Sequence, residues 1–122
     1  MKIIDPFYKK ADPRGKLAGI LRTQIREINW VETKQGIIRG GHYHNQTVEY
    51  LFFVIGKARV WCTSKEGKIL GDRVMEPGEI IMLEPGEVHF VEALENCIWF
   101  NALNLEIDDR SPDIHRPQTT DL

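Results

Sequence analysis

The chain has no apolar run long enough to span a bilayer, and its opening, MKIIDPFYKK, lacks the uninterrupted apolar stretch of a secretion signal. It therefore reads as cytoplasmic, with no membrane partner. An excess of either charge is also missing. Sixteen Lys and Arg against 18 Asp and Glu leave a net charge of −2, which excludes general attraction to nucleic-acid backbones, so any anionic ligand must be caught locally. Cysteine is scarce: Cys62 and Cys97 allow one pair at most, and both read as small core residues in a reducing compartment. Helical periodicity is hardly visible. At 122 residues the chain fits one domain, 1–122, long enough to bury a core.

What is present has the short period of β-structure. Nine segments rich in Ile, Val, Phe and Trp read as strands: KLAGILRT, IREINWVE, GIIRG, VEYLFFVIG, KARVWCTS, KILGDRV, EIIML, VHFVEAL and CIWFNALNL. Between them stand DPRG, KQG, SKEGK, MEPG, LEPGE and ENC, which are turn chemistry. Regular short strands joined by tight turns predict an all-β sandwich or barrel. From about residue 106 the composition turns polar and proline-containing, a tail either loosely ordered or laid across another surface.

Within GIIRGGHYHNQTVEYLFFVIG (Gly36–Gly56), His42 and His44 are two residues apart and project to one face of a strand, with Tyr43 on the reverse. Glu49 shares a face with Leu51, Phe53 and Ile55, the expected interior, while Tyr50, Phe52 and Val54 face the other layer. A carboxylate among apolar side chains must be paired or hold a cation. His89 follows a Pro-Gly turn and shares its face with Val91 and Ala93. Any one of these histidines alone reads as a half-buried, hydrogen-bonded side chain. The four together, His42, His44, Glu49 and His89, read as a divalent-metal site for Zn, Fe, Mn or Ni. His115, in the polar tail, reads as a surface residue. Arg39 stands beside the glycine pair, where a bulge at Gly40 and Gly41 would turn it toward the site to contact a diphosphate. Arg22, Arg26 and Arg59 read as solvated strand positions, and Trp30, Trp61 and Trp99 as packing residues.

The spacing Gly36, five residues, His42, one, His44, four, Glu49, six, Gly56 resembles the first signature of the cupin superfamily. The second is similar in part: Gly78, five residues, then EPG and His89, with Glu84 where the pattern has proline and Ala93 where it has asparagine. The resemblance covers Gly36 to about Ala93 and implies a small antiparallel jelly-roll barrel with ligands pointing into its mouth. DPRGKL, GIIRGGHYH and EYLFFVIGKARVW resemble the sugar-nucleotide branch, the dTDP-4-keto-6-deoxyglucose 3,4-ketoisomerases and the cupin domain of capsule-sugar biosynthetic enzymes. In those ketoisomerases the paired histidines are acid and base and no metal is bound. That would make His42 and His44 the catalytic pair here if no metal is held. The carboxylate at Glu49 completes a metal set and points to the metal-dependent version.

The resemblance thus implies an isomerase or epimerase acting on a keto sugar nucleotide in polysaccharide biosynthesis, with a small-molecule substrate. An iron-dependent dioxygenase and a non-catalytic small-ligand-binding cupin are the alternatives. A homodimer is expected as well, because EYLFFVIG and CIWFNALNL carry bulky residues on both faces. An edge strand or the N-terminal segment is the expected contact.

Overall fold

The computed structural model describes residues 1–117. Eleven strands are present among them: β1 Lys2–Ile4, β2 Tyr8–Asp12, β3 Gly15–Gly19, β4 Glu27–Thr33, β5 Ile38–His42, β6 Glu49–Ile55, β7 Ala58–Thr63, β8 Ile69–Met75, β9 Ile80–Leu83, β10 Val88–Ala93 and β11 Cys97–Leu103. No helix among them is long and apolar enough to cross a membrane. Two antiparallel sheets, in the orders β1-β9-β6-β11-β4 and β5-β10-β7-β8, face each other, and β2 and β3 form a separate hairpin. This is the expected jelly roll.

All nine predicted strands exist, and two more precede them. β1 has only three residues, with Lys2 exposed, yet it extends the larger sheet by pairing Ile3 with Ile81. β2, Tyr-Lys-Lys-Ala-Asp, buries neither face and so carries no alternation to detect. KLAGILRT ends as a strand at Gly19. Arg22 and Arg26 therefore lie in the β3–β4 connection rather than on a strand.

The core between the sheets includes Leu51, Phe53, Val60, Met75, Ile81, Leu83, Val91 and Trp99. Along β6 the burial alternates as expected from Glu49 to Phe53 but not to Ile55, which is 53% exposed. The cause is a bulge. The β6–β11 register shifts between Ile98 and Trp99, so that Trp99 pairs with Phe53 and Ile98 with Ile55, and Ile55 slips to the outer face. Trp99 is buried and Trp61 half-buried, stacked on Phe90 at 4.9 Å. Trp30 does not pack inside: it is 56% exposed on the outer phase of β4, edge-on to Phe100 with ring centroids 5.3 Å apart. Cys62 and Cys97 are buried free thiols.

The same four residues, Glu-Pro-Gly-Glu, form the turns before β9 and before β10. In each, the last Glu donates its N–H to the carbonyl of the first, and its carboxylate accepts the first one's N–H at 2.8 Å. Glu84 in place of proline therefore leaves the second turn intact, with Pro85 at the position that favours its φ.

Candidate metal and substrate site

The site lies at the end of the sandwich where β5 and β11 finish and β6 and β10 begin. Gly40 and Gly41 set its geometry. His42 pairs with His89 and Gly40 with Phe90, a register shift that leaves Gly41 as the extra residue of a bulge. Both glycines have positive φ, 98° and 78°. A Cβ on Gly40 would also collide with the His89 carbonyl oxygen, so the close approach of the two strands requires glycine. His44 lies just past β5, where Tyr43 exchanges main-chain hydrogen bonds of 2.9 Å with His115. His115 is accordingly half-buried against Tyr43 and not a free surface residue.

Three of the four predicted residues, His42, His44 and His89, converge, and Glu49 faces His44 and His89 from outside that set. One ring nitrogen from each of His42, His44 and His89 falls within 4.8 Å of the others. His42 Nε2 and His89 Nε2 are 3.1 Å apart, His44 Nε2 lies 3.0 Å from Glu49 Oε2, and His89 Nε2 is 3.4 Å from the same oxygen. His44, Glu49 and His89 are buried, and His42 is half-buried. Burial, reinforced by His89 and His44, pushes His42 down to about 4, so it is neutral at pH 7. Burial also lowers His89. At His44 burial acts in the same direction, but hydrogen bonds to Glu49 and to the Asp113 carbonyl outweigh it and raise the imidazole above its ordinary value. Burial likewise opposes ionisation of Glu49, yet His44, His89 and Asn101 hold its carboxyl below the usual range. A charged carboxylate thus sits among three imidazoles. A neutral His42 beside a His44 raised above its ordinary value is an arrangement suited to acid–base chemistry.

Above this cluster opens a cavity of about 280 Å³, lined by the three histidines, Glu49, Leu51, Val91, Trp99 and Leu103, by Arg39 at its edge, and by Glu106, Ile107, Asp113 and Ile114 of the tail. Arg39 lines the edge of the cavity. Its guanidinium donates from Nε to Thr33 Oγ1 at 2.7 Å and from Nη2 to the Glu32 carbonyl at 2.9 Å, while Nη1 makes no hydrogen bond among the described residues. Arg59 pairs with Asp72 at 2.7 Å on the outer face, and Arg22 covers the Phe7 ring at 4.0 Å, both away from the site.

Two participants were not foreseen. Asn101 donates to Glu49 Oε1 and accepts from Asn29 Nδ2 at 2.9 Å. Its signal was present: Asn101 falls on the phase of β11 shared by Cys97, Trp99 and Leu103, where a polar side chain needs a reason. The other is Asp113, whose carbonyl oxygen lies 2.6 Å from His44 Nδ1. The tail is laid across the mouth of its own sandwich.

The family profile described as polysaccharide biosynthesis C-terminal domain matches residues 10–98. The chain belongs to that family. Among solved structures, this polysaccharide biosynthesis C-terminal domain resembles a 3,4-ketoisomerase from Helicobacter canadensis at 15% identity and a TM-score of 0.76, covering 94% of this chain and 89% of that one. It also resembles QdtA, a sugar 3,4-ketoisomerase from Thermoanaerobacterium thermosaccharolyticum in complex with TDP, at 17% identity and a TM-score of 0.72, covering 94% and 86%. The capsular polysaccharide assembling protein CapF from Staphylococcus aureus is similar at 21% identity and a TM-score of 0.71, covering 94% of this chain but 33% of CapF. This chain thus spans about a third of the length of CapF. At these identities the likeness establishes the shared fold. No curated protein sequence matches.

Proposed function

We propose that this domain is a metal-dependent isomerase or epimerase acting on a nucleotide-linked keto sugar in polysaccharide biosynthesis. The observation that carries the reading is the convergence of His42, His44 and His89, with Glu49 against two of them, beneath a cavity whose volume, about 280 Å³, is close to the lower end for small-molecule sites. That size takes a sugar ring and leaves the nucleotide at the rim. The fold is shared with enzymes named as sugar 3,4-ketoisomerases, one solved with TDP-4-keto-6-deoxyglucose, which supports the substrate class.

The donor set fits a divalent transition ion. Two ligand atoms each about 2.1 Å from one centre lie about 3.0 Å apart at a right angle and about 3.4 Å apart at the tetrahedral angle. His44–Glu49, His42–His89 and His89–Glu49 are separated by 3.0, 3.1 and 3.4 Å, while Glu49 would have to move toward His42 for all four to share one ion. Three imidazoles and one carboxylate suit Zn, Fe, Mn or Ni, and the carboxylate offsets part of the ion's charge. When bound, such an ion would polarise a carbonyl oxygen and stabilise the charge that develops when a neighbouring carbon loses its proton. The chain's own part is to hold the sugar between Trp99, Leu51 and Val91, to exclude water with Ile107 and Ile114, and to meet the diphosphate with the uncommitted Nη1 of Arg39. In this reading two copies of the chain associate as a homodimer.

The test joins elemental analysis with isotope exchange. The purified protein should contain about one divalent ion per chain, and in heavy water it should catalyse deuterium uptake at the carbon beside the carbonyl of a dTDP-4-keto sugar. Chelation or His44→Ala should abolish that uptake. Arg39→Gln should keep the ion and weaken binding of the nucleotide sugar by about ten-fold or more, the loss of a charge-assisted contact. Metal content with no exchange, but with oxygen consumption on a small organic substrate, would move the assignment to a dioxygenase.

A further inference from the structure

The chain after β11 makes its densest contacts at one residue. The Asp113 carboxylate accepts the N–H groups of Asn45 at 2.8 Å on Oδ1, and of Gln46 and Thr47 at 2.8 and 2.9 Å on Oδ2. It also accepts from Thr47 Oγ1 at 3.0 Å and from His115 Nε2 at 2.9 Å. Three successive backbone donors converging on one carboxylate form an anion-binding concavity filled from within the chain. The segment so pinned, Asn45–Thr47, connects His44 to Glu49. On the other side of the same residue, the Asp113 main-chain oxygen lies 2.6 Å from His44 Nδ1. A carbonyl oxygen can only accept, so His44 carries a proton on Nδ1, and Nε2, which donates to Glu49 at 3.0 Å, is the nitrogen left to exchange its proton for a ligand in the cavity. His89 has no side-chain or tail support of this kind among the described residues, its buried Nδ1 making no hydrogen bond of ordinary geometry there.

From this geometry we infer that Asp113 is a positioning residue: its carboxylate fixes the turn between His44 and Glu49, and its carbonyl selects the His44 tautomer that presents Nε2 to the site. The inference rests on the metal-dependent reading above for its consequence, but the tautomer itself is independent of any metal or sugar. A partner on the far nitrogen of a ligating imidazole orients the ring and assigns its proton, and removing such a partner weakens metal binding by about 10- to 100-fold. Here the partner sits about 70 residues downstream, so a polar tail becomes part of the site.

Two measurements on Asp113→Ala and Asp113→Asn decide the matter, with Asp109→Ala as a tail control, since Asp109 is exposed and bonds none of these groups. The first is long-range proton–nitrogen NMR of the metal-free, ¹⁵N-histidine-labelled full chain at alkaline pH. It should show His44 protonated on Nδ1 in the unmodified protein and in Asp109→Ala, and a shift toward the Nε2-protonated tautomer facing Glu49 in Asp113→Ala. The second is competitive titration with cobalt(II), which should give a dissociation constant about 10- to 100-fold weaker in Asp113→Ala, with Asp113→Asn between the two. Asparagine keeps an acceptor oxygen and is the variant to rely on if alanine prevents folding. An Nε2-protonated His44 in the unmodified protein, or Asp113 variants with unchanged tautomer and unchanged cobalt affinity, would overturn the inference. Absence of cobalt binding by the unmodified protein would instead sink the metal-dependent reading, with the tautomer measurement still deciding the role of Asp113.

Discussion

Glu49 is the residue on which the electrostatics of the site turn. Its carboxylate is buried, takes one hydrogen bond from Asn101, and faces His44 and His89 at 3.0 and 3.4 Å. Glu49→Gln keeps the shape and removes the charge, so His44 and His89 lose their anionic neighbour on the cavity side. Metal content should fall from about one ion per chain to near zero by elemental analysis. The metal-free variant should melt below the unmodified protein at neutral pH, because the groups that hold the Glu49 carboxyl below its usual range stabilise its charge by more than burial costs. In proton NMR His44 should titrate lower than in the unmodified protein, since the hydrogen bond to Glu49 is what raises it against burial. Gly40 makes a different kind of demand. With φ at 98° and no room for a Cβ beside the His89 carbonyl, Gly40→Ala should cost about 1–3 kcal/mol, read as a lower urea midpoint. It should also weaken cobalt(II) binding, because relief of the clash moves His89.

At the scale of elements, the strands that bury one face were legible because alternation is a property of the local sequence. β2 buries neither face and β1 is too short to show a period, so what makes them strands is pairing that the local pattern does not contain. The candidate site residues were legible for the same reason: His42 with His44, and Glu49 with Leu51, follow from the two-residue period of a strand. Asp113 could not be read this way, since its contacts with Asn45, Gln46 and Thr47 depend on the path of an irregular chain over the sandwich. That clamp predicts a pH dependence. Burial opposes ionisation of Asp113, but three backbone N–H groups and His115 hold its carboxyl far below the usual range. A group whose folded value is depressed contributes stability that is full above its unfolded value, about 3.9, and that is lost as pH falls through the folded value. The gap in melting temperature between the unmodified protein and Asp113→Asn should therefore be constant from about pH 7 to 5 and shrink below about pH 4. A gap that stays level down to pH 3 would mean that the carboxylate's charge is not what holds the tail.

For the whole molecule, the two outward sheet faces differ in a way that bears on assembly. On the smaller sheet, Arg59 is paired with Asp72 and lies 4.4 Å over Trp61, so the exposed apolar side chains there are interleaved with charge. On the larger sheet, β4, β11 and β6 present Ile28, Trp30, Phe100, Phe52 and Tyr50 side by side. Ile28 is 64% and Trp30 56% exposed, and Phe52 stacks on Phe100 at 6.5 Å. A contiguous aromatic and aliphatic face of this kind is rarely left in water by a monomer. It lies beside β4, an edge strand of its sheet, in keeping with the expected edge contact. A twofold pairing of this face would cover Ile28 and Trp30 with their own counterparts. Light scattering during size-exclusion chromatography should report a dimer at micromolar concentration. Because apolar burial drives the pairing, raising the salt to 1 M should not dissociate it, whereas screening would weaken a pairing held by surface charges. Trp30→Glu combined with Ile28→Lys places charge on positions exposed in the single chain, so it should leave the fold intact by circular dichroism while halving the measured mass. A monomer in the unmodified protein, or a dimer that survives the double substitution, would rule this face out as the contact.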